Sequence, residues 1–356
     1  MRRFFLGLLL LAALAGGAGY VLRGEIALAL MQRVLERNMA TDVVAELPEG
    51  LHVGLCGAGA PMPAADRSGP CVVVIAGKRT FVVDAGTGGV RTLARMGLQP
   101  GRIERVLLTH FHSDHIDGLG EMMLQRWVGA ANAAPLPVHG PTGVDAVVNG
   151  FNAAYAADKG YRTAHHGEAI APSAGFGGVA AAFELDTAGN ATVLDEGGLT
   201  IEAFKVEHAP VEPAVGYRIT YKGRVAVISG DTKKSAAVEQ RATGVDLLVH
   251  EALSPKLVGL IGDAATKGGR QNIAKIMHDI LDYHTTPEEA AEIASKAKVK
   301  ALLLYHIVPP LPLSALEGPF LGRAREIFSG PLHVGRDGDF VTMPAGSTEV
   351  RFTSRL

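Results

Sequence analysis

From residue 51 onward the chain is punctuated by short apolar runs rich in β-branched residues, most of them ending in glycine, proline or a polar side chain. Leu51-His52-Val53-Gly54-Leu55 alternates and runs into Gly57-Ala58-Gly59. Val72 to Ile75 and Thr80 to Val83, joined at Gly77-Lys78, predict a buried antiparallel hairpin. Val106–Leu108, Leu136–Val138, Thr200–Val206, Val225–Ile228, Leu247–Val249 and Ala301–Tyr305 predict further strands. Between them the spacing turns helical: Arg91 to Met96 closed by Gly97, Ile116 to about Val128, a stripe of Ile273, Ile276, Met277, Ile280 and Leu281 around His278, and a segment near Leu321 to Phe328 before a closing hairpin. One helix start is explicit, with Thr286 as N-cap, Pro287 at the first helical position and Glu289 completing a capping box. Strands alternating with helices over residues 51–356 predict one α/β layered catalytic body. Residues 144–203 are its least regular part: an insertion that either covers a site, with Tyr161, His165 and His166 facing substrate, or elaborates the surface.

The first 50 residues follow another pattern. Phe4 to Leu22 is a 19-residue run without a charge, between Arg2-Arg3 and Arg23, long enough to cross a bilayer. Residues 1–24 are expected to be a membrane anchor, or a signal peptide cleaved near Ala13-Leu14-Ala15. Either reading places the body outside the cytoplasm, periplasmic and held at the inner membrane or exported after cleavage. Residues 25–50 then form an amphipathic helix and linker, with Ile26, Leu28, Leu30, Met31, Val34 and Leu35 as its apolar face.

Composition narrows the picture. An apolar fraction of 47% with 44 glycines fits a loop-rich globular enzyme and excludes a disordered chain. The net charge of -2 is no electrostatic footprint for a long polyanion, so long nucleic acid is not favoured as a partner and a small ester is. A homodimer is compatible with the sequence, which fixes no oligomeric state. Cys56 and Cys71, fifteen apart around a Pro/Gly-rich loop, are either a disulfide or two buried thiols.

The chemistry concentrates in Thr109-His110-Phe111-His112-Ser113-Asp114-His115, three imidazoles and a carboxylate directly after an apolar strand. His110 and His112 alternate at the strand's end, while Asp114 and His115 follow where the chain turns helical, so one turn offers ligands in two directions. Imidazole with carboxylate and no thiolate suits zinc first, with manganese or iron as lesser options. Three later strands deliver candidates of the same kind: His208 after Thr200–Val206, Asp231 after Val225–Ile228 and His306 after Ala301–Tyr305. Strands that all end at one edge of a sheet bring such distant residues together. His139 has no ligand spacing and is read as structural or exposed, and His278 as a scaffold residue.

The pattern His110-x-His112-x-Asp114-His115 resembles the metallo-β-lactamase superfamily over roughly residues 51–312, and the His250-Glu251-Ala252 and His284-Thr285-Thr286-Pro287-Glu288-Glu289-Ala290 runs resemble its ribonuclease Z and arylsulfatase-like branch. The resemblance implies an αββα four-layer sandwich and two zinc ions. It implies that His110, His112 and His208 hold one metal, that Asp114, His115 and His306 hold the other, and that Asp231 bridges them. It also implies that Asp84 supports the ligands from behind, and that Glu251 orients His284 as proton donor to the leaving group. With Asp114 these last two are the residues expected to act in catalysis, the attacking group being a metal-bridged hydroxide. The expected activity is hydrolysis of phosphodiesters or of aryl sulfate or phosphate esters. The alternatives are a ribonuclease Z-type endoribonuclease and a lactonase or β-lactamase. Only 22 residues separate His208 from Asp231, which leaves no room for the long tRNA-gripping arm of the tRNA-processing members.

Overall fold

The computed structural model describes Phe4, Phe5, Gly17 and residues 20–356. Among the described residues fifteen strands build two sheets. The first sheet takes β1 (Gly50–Gly57), β2 (Cys71–Ala76), β3 (Arg79–Val83), β4 (Ile103–Leu107), β5 (Leu136–Pro141) and β6 (Gly178–Phe183). The second takes β7 (Asn190–Glu196), β8 (Leu199–Lys205), β9 (Val215–Tyr221), β10 (Arg224–Ile228), β11 (Leu247–Leu253), β12 (Ala301–Val308) and β13 (Leu332–Val334). The chain then returns with β14 (Asp339–Pro344) and β15 (Arg351–Ser354), which extend the first sheet beyond β1.

Residue alternation decides the layers. Leu303 and Tyr305 of β12 join Leu51, Val53, Val74, Phe81, Tyr217 and Ile219 in a core between the sheets. Their neighbours Leu302 and Leu304 face the opposite way, onto Ala290, Ile293 and Ala294 of the helix Pro287–Ala297. Helices outside, two sheets inside: this is the expected αββα arrangement. The β2–β3 hairpin has the expected antiparallel register, Val72 opposite Val83 and Ala76 opposite Arg79.

Strand direction then positions the site. β3, β4 and β5 run parallel, as do β10, β11 and β12. β8 shares the direction of β10, because each is antiparallel to β9. The residues that follow β3, β4, β8 and β10, and those near the end of β11 and β12, therefore emerge together, as ligand sites in α/β sheets do at the carboxyl ends of strands.

Several boundaries differ from the sequence expectation. The helix expected from Ile116 to Val128 is two, Ser113–Ile116 and Leu119–Gly129, broken at Asp117-Gly118. Gly118 donates its N–H to Ala85 O at 2.7 Å, and a Cβ there would lie 2.5 Å from Gly86 O. Only glycine lets the histidine-bearing turn press this closely on the end of β3. The C-terminal helix is likewise two short pieces, Glu317–Leu321 and Ala324–Ile327, divided at Gly322. Residues 144–203 comprise the helices Val144–Ala154 and Ala156–His166 and the strands β6, β7 and β8, so both sheets draw edge strands from this segment.

The N-terminal unit, residues 1–43, contains the helix Arg23–Ala40, where an amphipathic helix was expected. The apolar run Phe4 to Leu22 lies largely outside the described residues. Among the described residues no helix is long and apolar enough to cross a membrane.

Cys56 and Cys71 are bonded to each other, joining the end of β1 to the start of β2 across the loop of residues 57–70. Gly69 of that loop packs on Thr87 and on the Asp114 carbonyl, so the crosslink fixes one wall of the histidine turn. Closing a loop of this length constrains the unfolded chain by about 3 kcal/mol. Replacing both cysteines with serine is expected to lower the unfolding free energy by about that amount, read from urea denaturation.

Candidate metal centre

Eight predicted side chains, from five separate stretches of sequence, converge. His110, His112, His208 and Asp231 bring one potential ligand atom each within 4.8 Å of one another, as do Asp114, His115 and His306, and as do Asp231, His284 and His306. Asp231 Oδ2 lies at the centre, 3.2 Å from His115 Nε2 and from His306 Nε2, and 3.9 Å from His110 Nε2 and from His208 Nε2. His110, Asp114, His115, His208, Asp231 and His306 are all buried.

Two backbone features aim this set. His306 has a left-handed φ of 46° and occupies the irregularity in β12, where the register passes from Tyr305 to Ile307 opposite Glu251 and Ala252. The bulge turns an imidazole out of the ladder and into the site. Gly230, with φ 64°, turns the chain before Asp231; a Cβ there would lie 2.5 Å from Val215 O.

His110, His115 and His208 are each held by one ring nitrogen and offer the other. His115 Nδ1 donates to Asp84 Oδ2 at 2.9 Å, leaving Nε2 toward Asp231. His208 Nδ1 donates to the Tyr283 carbonyl at 3.0 Å. His110 Nδ1 lies 3.0 Å from Thr109 Oγ1, which itself donates to Asp84, and the Thr109 N–H also reaches Asp84 Oδ1 at 2.8 Å. The free nitrogens of His110 and His208 then converge on His112 Nδ1 at 3.1 and 3.4 Å. Burial pushes the imidazoles of His110, His112 and His208 down, His110 furthest, so they are neutral at physiological pH. Three lone pairs meeting without a proton between them are the arrangement a cation completes.

The second cluster carries the complementary evidence. Burial works against charge on His115, yet Asp231 and Asp84 outweigh it and hold this imidazole well above its ordinary range. Burial alone would raise Asp231 as well, and the charges of His306, His115 and His110 hold it far down instead. Asp114 is lowered against burial chiefly by its bond to His306 Nε2, 3.2 Å from Oδ2. Asp231 Oδ1 and His115 Nε2 are buried without a hydrogen-bond partner. The cluster therefore retains a proton where a metal would sit, and metal binding would release it. The donor set, nitrogen and oxygen without sulfur, fits the metal chemistry expected from the sequence.

Asp84 ties the two clusters together. It accepts from His115 on one side and from Thr109 on the other, and it has a left-handed φ of 60°. Thr109 was missed by sequence reasoning, although its place between an apolar strand and the first histidine was a usable signal. Asp84→Asn would replace an acceptor for two imidazole-fixing bonds with an amide. Such outer partners typically cost 10–100-fold in metal affinity. A weakening of that size, with the fold retained, is expected in competition against a chromophoric chelator.

His284 and Glu251 form the remaining part. The capping box at Thr286 and Glu289 is present as expected and fixes the helix entrance two residues after His284. Glu251 is fully buried; its Oε1 accepts from Thr285 N at 2.8 Å and from His284 Nδ1 at 3.1 Å. His284 stacks 5.5 Å from the His306 ring, which directs its other nitrogen toward Asp231 and His306. Of the other histidines, His139 is half-buried and accepts from Arg105 at 3.2 Å, and burial with that neighbour pushes it down to about 4. His278, expected within a scaffold, is exposed. His165, His166 and Tyr161 lie exposed on Ala156–His166 and belong to none of the three clusters.

A model described as a β-lactamase superfamily domain matches residues 79–307. A ribonuclease Z of Mycobacterium bovis (strain BCG / Pasteur 1173P2) is 37% identical over 289 residues, covering 81% of this chain and 96% of that protein. A ribonuclease Z of Mycobacterium avium (strain 104) is 33% identical over 299 residues, covering 83% and 100%. Among solved structures, the metallo-β-lactamase fold protein YhfI of Bacillus subtilis aligns with TM-score 0.58 at 20% identity, covering 82% of this chain and 98% of that one. The human short-form tRNase Z aligns with TM-score 0.56 at 22% identity, covering 82% and 99%.

These relatives correct two expectations. A partner preference against long nucleic acid does not stand, since proteins matched over nearly their whole length are named as ribonucleases. Net charge averages over the entire surface and does not report on the one edge where a phosphodiester would meet the clusters. The inner-membrane and periplasmic placement is withdrawn on the same ground. It rested on the N-terminal apolar run alone, whereas the body's relatives are named ribonuclease Z.

Proposed function

Since the chain belongs to the metallo-β-lactamase superfamily, in its ribonuclease Z-like branch, we propose that it is a metal-dependent phosphodiesterase whose substrate is RNA. The observation that carries this reading is the His284–Glu251 couple set against the two metal-binding clusters. His110, His112 and His208 would hold one divalent cation, Asp114, His115 and His306 the second, and Asp231 both; zinc fits these donors first, then manganese or iron. When bound, such ions supply positive charge to the phosphoryl oxygens and make water acidic enough to attack at neutral pH.

The chain's own residues supply the rest. Departure of a ribose oxygen requires a proton, and His284, with Nδ1–H fixed on Glu251, is free to donate from Nε2. The buried Glu251 carboxylate stabilises the imidazolium that does so.

Small phosphodiesters and aryl esters would test the same chemistry without the RNA. Metal-loaded full chain is expected to cleave a folded transfer-RNA precursor transcript and to hydrolyse bis(p-nitrophenyl) phosphate. Turnover of lactones or β-lactams, with neither phosphodiester cleaved, would overturn the proposal in favour of ring-opening amide or lactone chemistry.

A further inference from the structure

A hollow beside the centre plays no part in the proton transfer at His284. A groove of about 670 Å³ runs from Pro210, two residues after His208, to the segment that leads into His284. Its walls are Pro210, Ile276, Ile280, Leu281 and Tyr283. The inner end belongs to the site itself: the Tyr283 carbonyl holds His208 Nδ1, and the Tyr283 ring lies 4.8 Å from the rings of both His208 and His284.

The outer wall comes from the helix Gln271–Asp279 and the turn Ile280–Asp282, which follow the helix Pro255–Lys267 in the segment inserted between Glu251 and His284. Met277 and Val258 anchor this pair on Ala60, Leu253 and Val308, with Ile273 and Ile280 packed alongside. Yet Ile276 is 52% and Leu281 39% exposed, both on the groove. Two large apolar side chains left in water beside an aromatic ring, within reach of the proton donor, mark a place for part of the substrate. The rim carries His278, Asp279 and Asp282, and Asp279 is paired with Lys275, so no cation is left free there to hold a second phosphate.

We propose that this groove binds a planar aromatic ring of the ester substrate, a nucleobase or an aryl group, against Tyr283, Ile276 and Leu281 while the phosphate lies at the metal clusters. The assignment rests on the phosphodiesterase reading of the centre and adds to it the group recognised beside the phosphate. Burying one ring against these walls is expected to tighten binding about tenfold.

Calorimetric titration of the metal-loaded full chain with phosphate monoesters tests it without turnover. Phenyl phosphate is expected to bind about tenfold more tightly than methyl phosphate. Adenosine 5′-monophosphate against ribose 5-phosphate tells a nucleobase from a simple aryl group. Ile276→Ser and Leu281→Ser alter exposed positions outside the metal clusters, so each should fold, leave methyl phosphate binding unchanged and erase most of the ring's advantage. Equal binding of phenyl and methyl phosphate to the wild type, or an advantage that survives both substitutions, would overturn the groove's assignment alone. Failure of every monoester to bind, methyl phosphate included, would overturn the phosphodiesterase reading together with it.

Discussion

An Asp231→Ala variant is expected to lose metal from both clusters and, with it, nearly all phosphodiester hydrolysis. No other side chain here has comparable reach, since one carboxylate oxygen lies within 3.2 to 3.9 Å of four imidazole nitrogens. Removing it deletes the anion whose oxygen faces imidazoles of both sets. His115 and His306 would then face each other across the gap with one fewer negative charge between them, their rings 5.2 Å apart. The drop in metal affinity should exceed the 10–100-fold typical of an outer partner such as Asp84. Metal analysis after gel filtration is expected to give two ions per wild-type chain and less than one for the variant. Zinc should raise the melting temperature of the wild type, by mass action on the folded state, and have little effect on Asp231→Ala. A variant that keeps both ions and its activity would show that Asp231 does not join the clusters.

How much of this was legible beforehand depended on the distance over which each signal acts. The turn from His110 to His115 is local, and its spacing predicts ligands facing two ways; the structure places His110 and His112 in one cluster and Asp114 and His115 in another. His208, Asp231 and His306 were legible because each ends an apolar strand, and parallel strands of one sheet deliver their ends to one edge. The capping box at Thr286 is likewise a signal confined to four residues. What could not be read was set by contacts remote in sequence. The break at Gly118 exists because the backbone of Ala85 and Gly86 lies against it, and no helical periodicity encodes that approach. The bond from Thr109 to Asp84 spans 25 residues. The hold of Tyr283 on His208 spans 75 and uses a backbone carbonyl, which no side-chain pattern reveals. The stripe around His278 was legible as a helix, but its periodicity fits a buried wall and a substrate-facing one equally well, and Ile276 proves to be on the exposed side. Partner choice failed for a related reason: a net charge of -2 describes no single edge of the molecule.

The second large effect is expected at His284, where proton donation can be separated from metal binding. His284→Ala should retain both ions but cleave RNA about 10²- to 10⁴-fold more slowly, the range a general acid contributes. The loss should be far smaller with bis(p-nitrophenyl) phosphate, whose p-nitrophenolate departs as an anion at neutral pH. A ligand role would act differently, lowering metal content and slowing both substrates alike, so the third cluster of Asp231, His284 and His306 gives a definite alternative outcome. The pH profile adds a second readout. Burial lowers the His284 imidazole, but the charge of Glu251, the hydrogen bond to it and the charge of Asp231 outweigh burial and bring it up to about 9. The donor form is therefore present below that value and is lost as pH rises through it, and cations at the clusters would bring the limb lower still. In Glu251→Gln the carboxylate charge is gone, so His284 loses its proton at lower pH and the alkaline limb of kcat should shift downward. An alkaline limb unmoved by that substitution would mean that His284 is not the group whose protonation the rate follows.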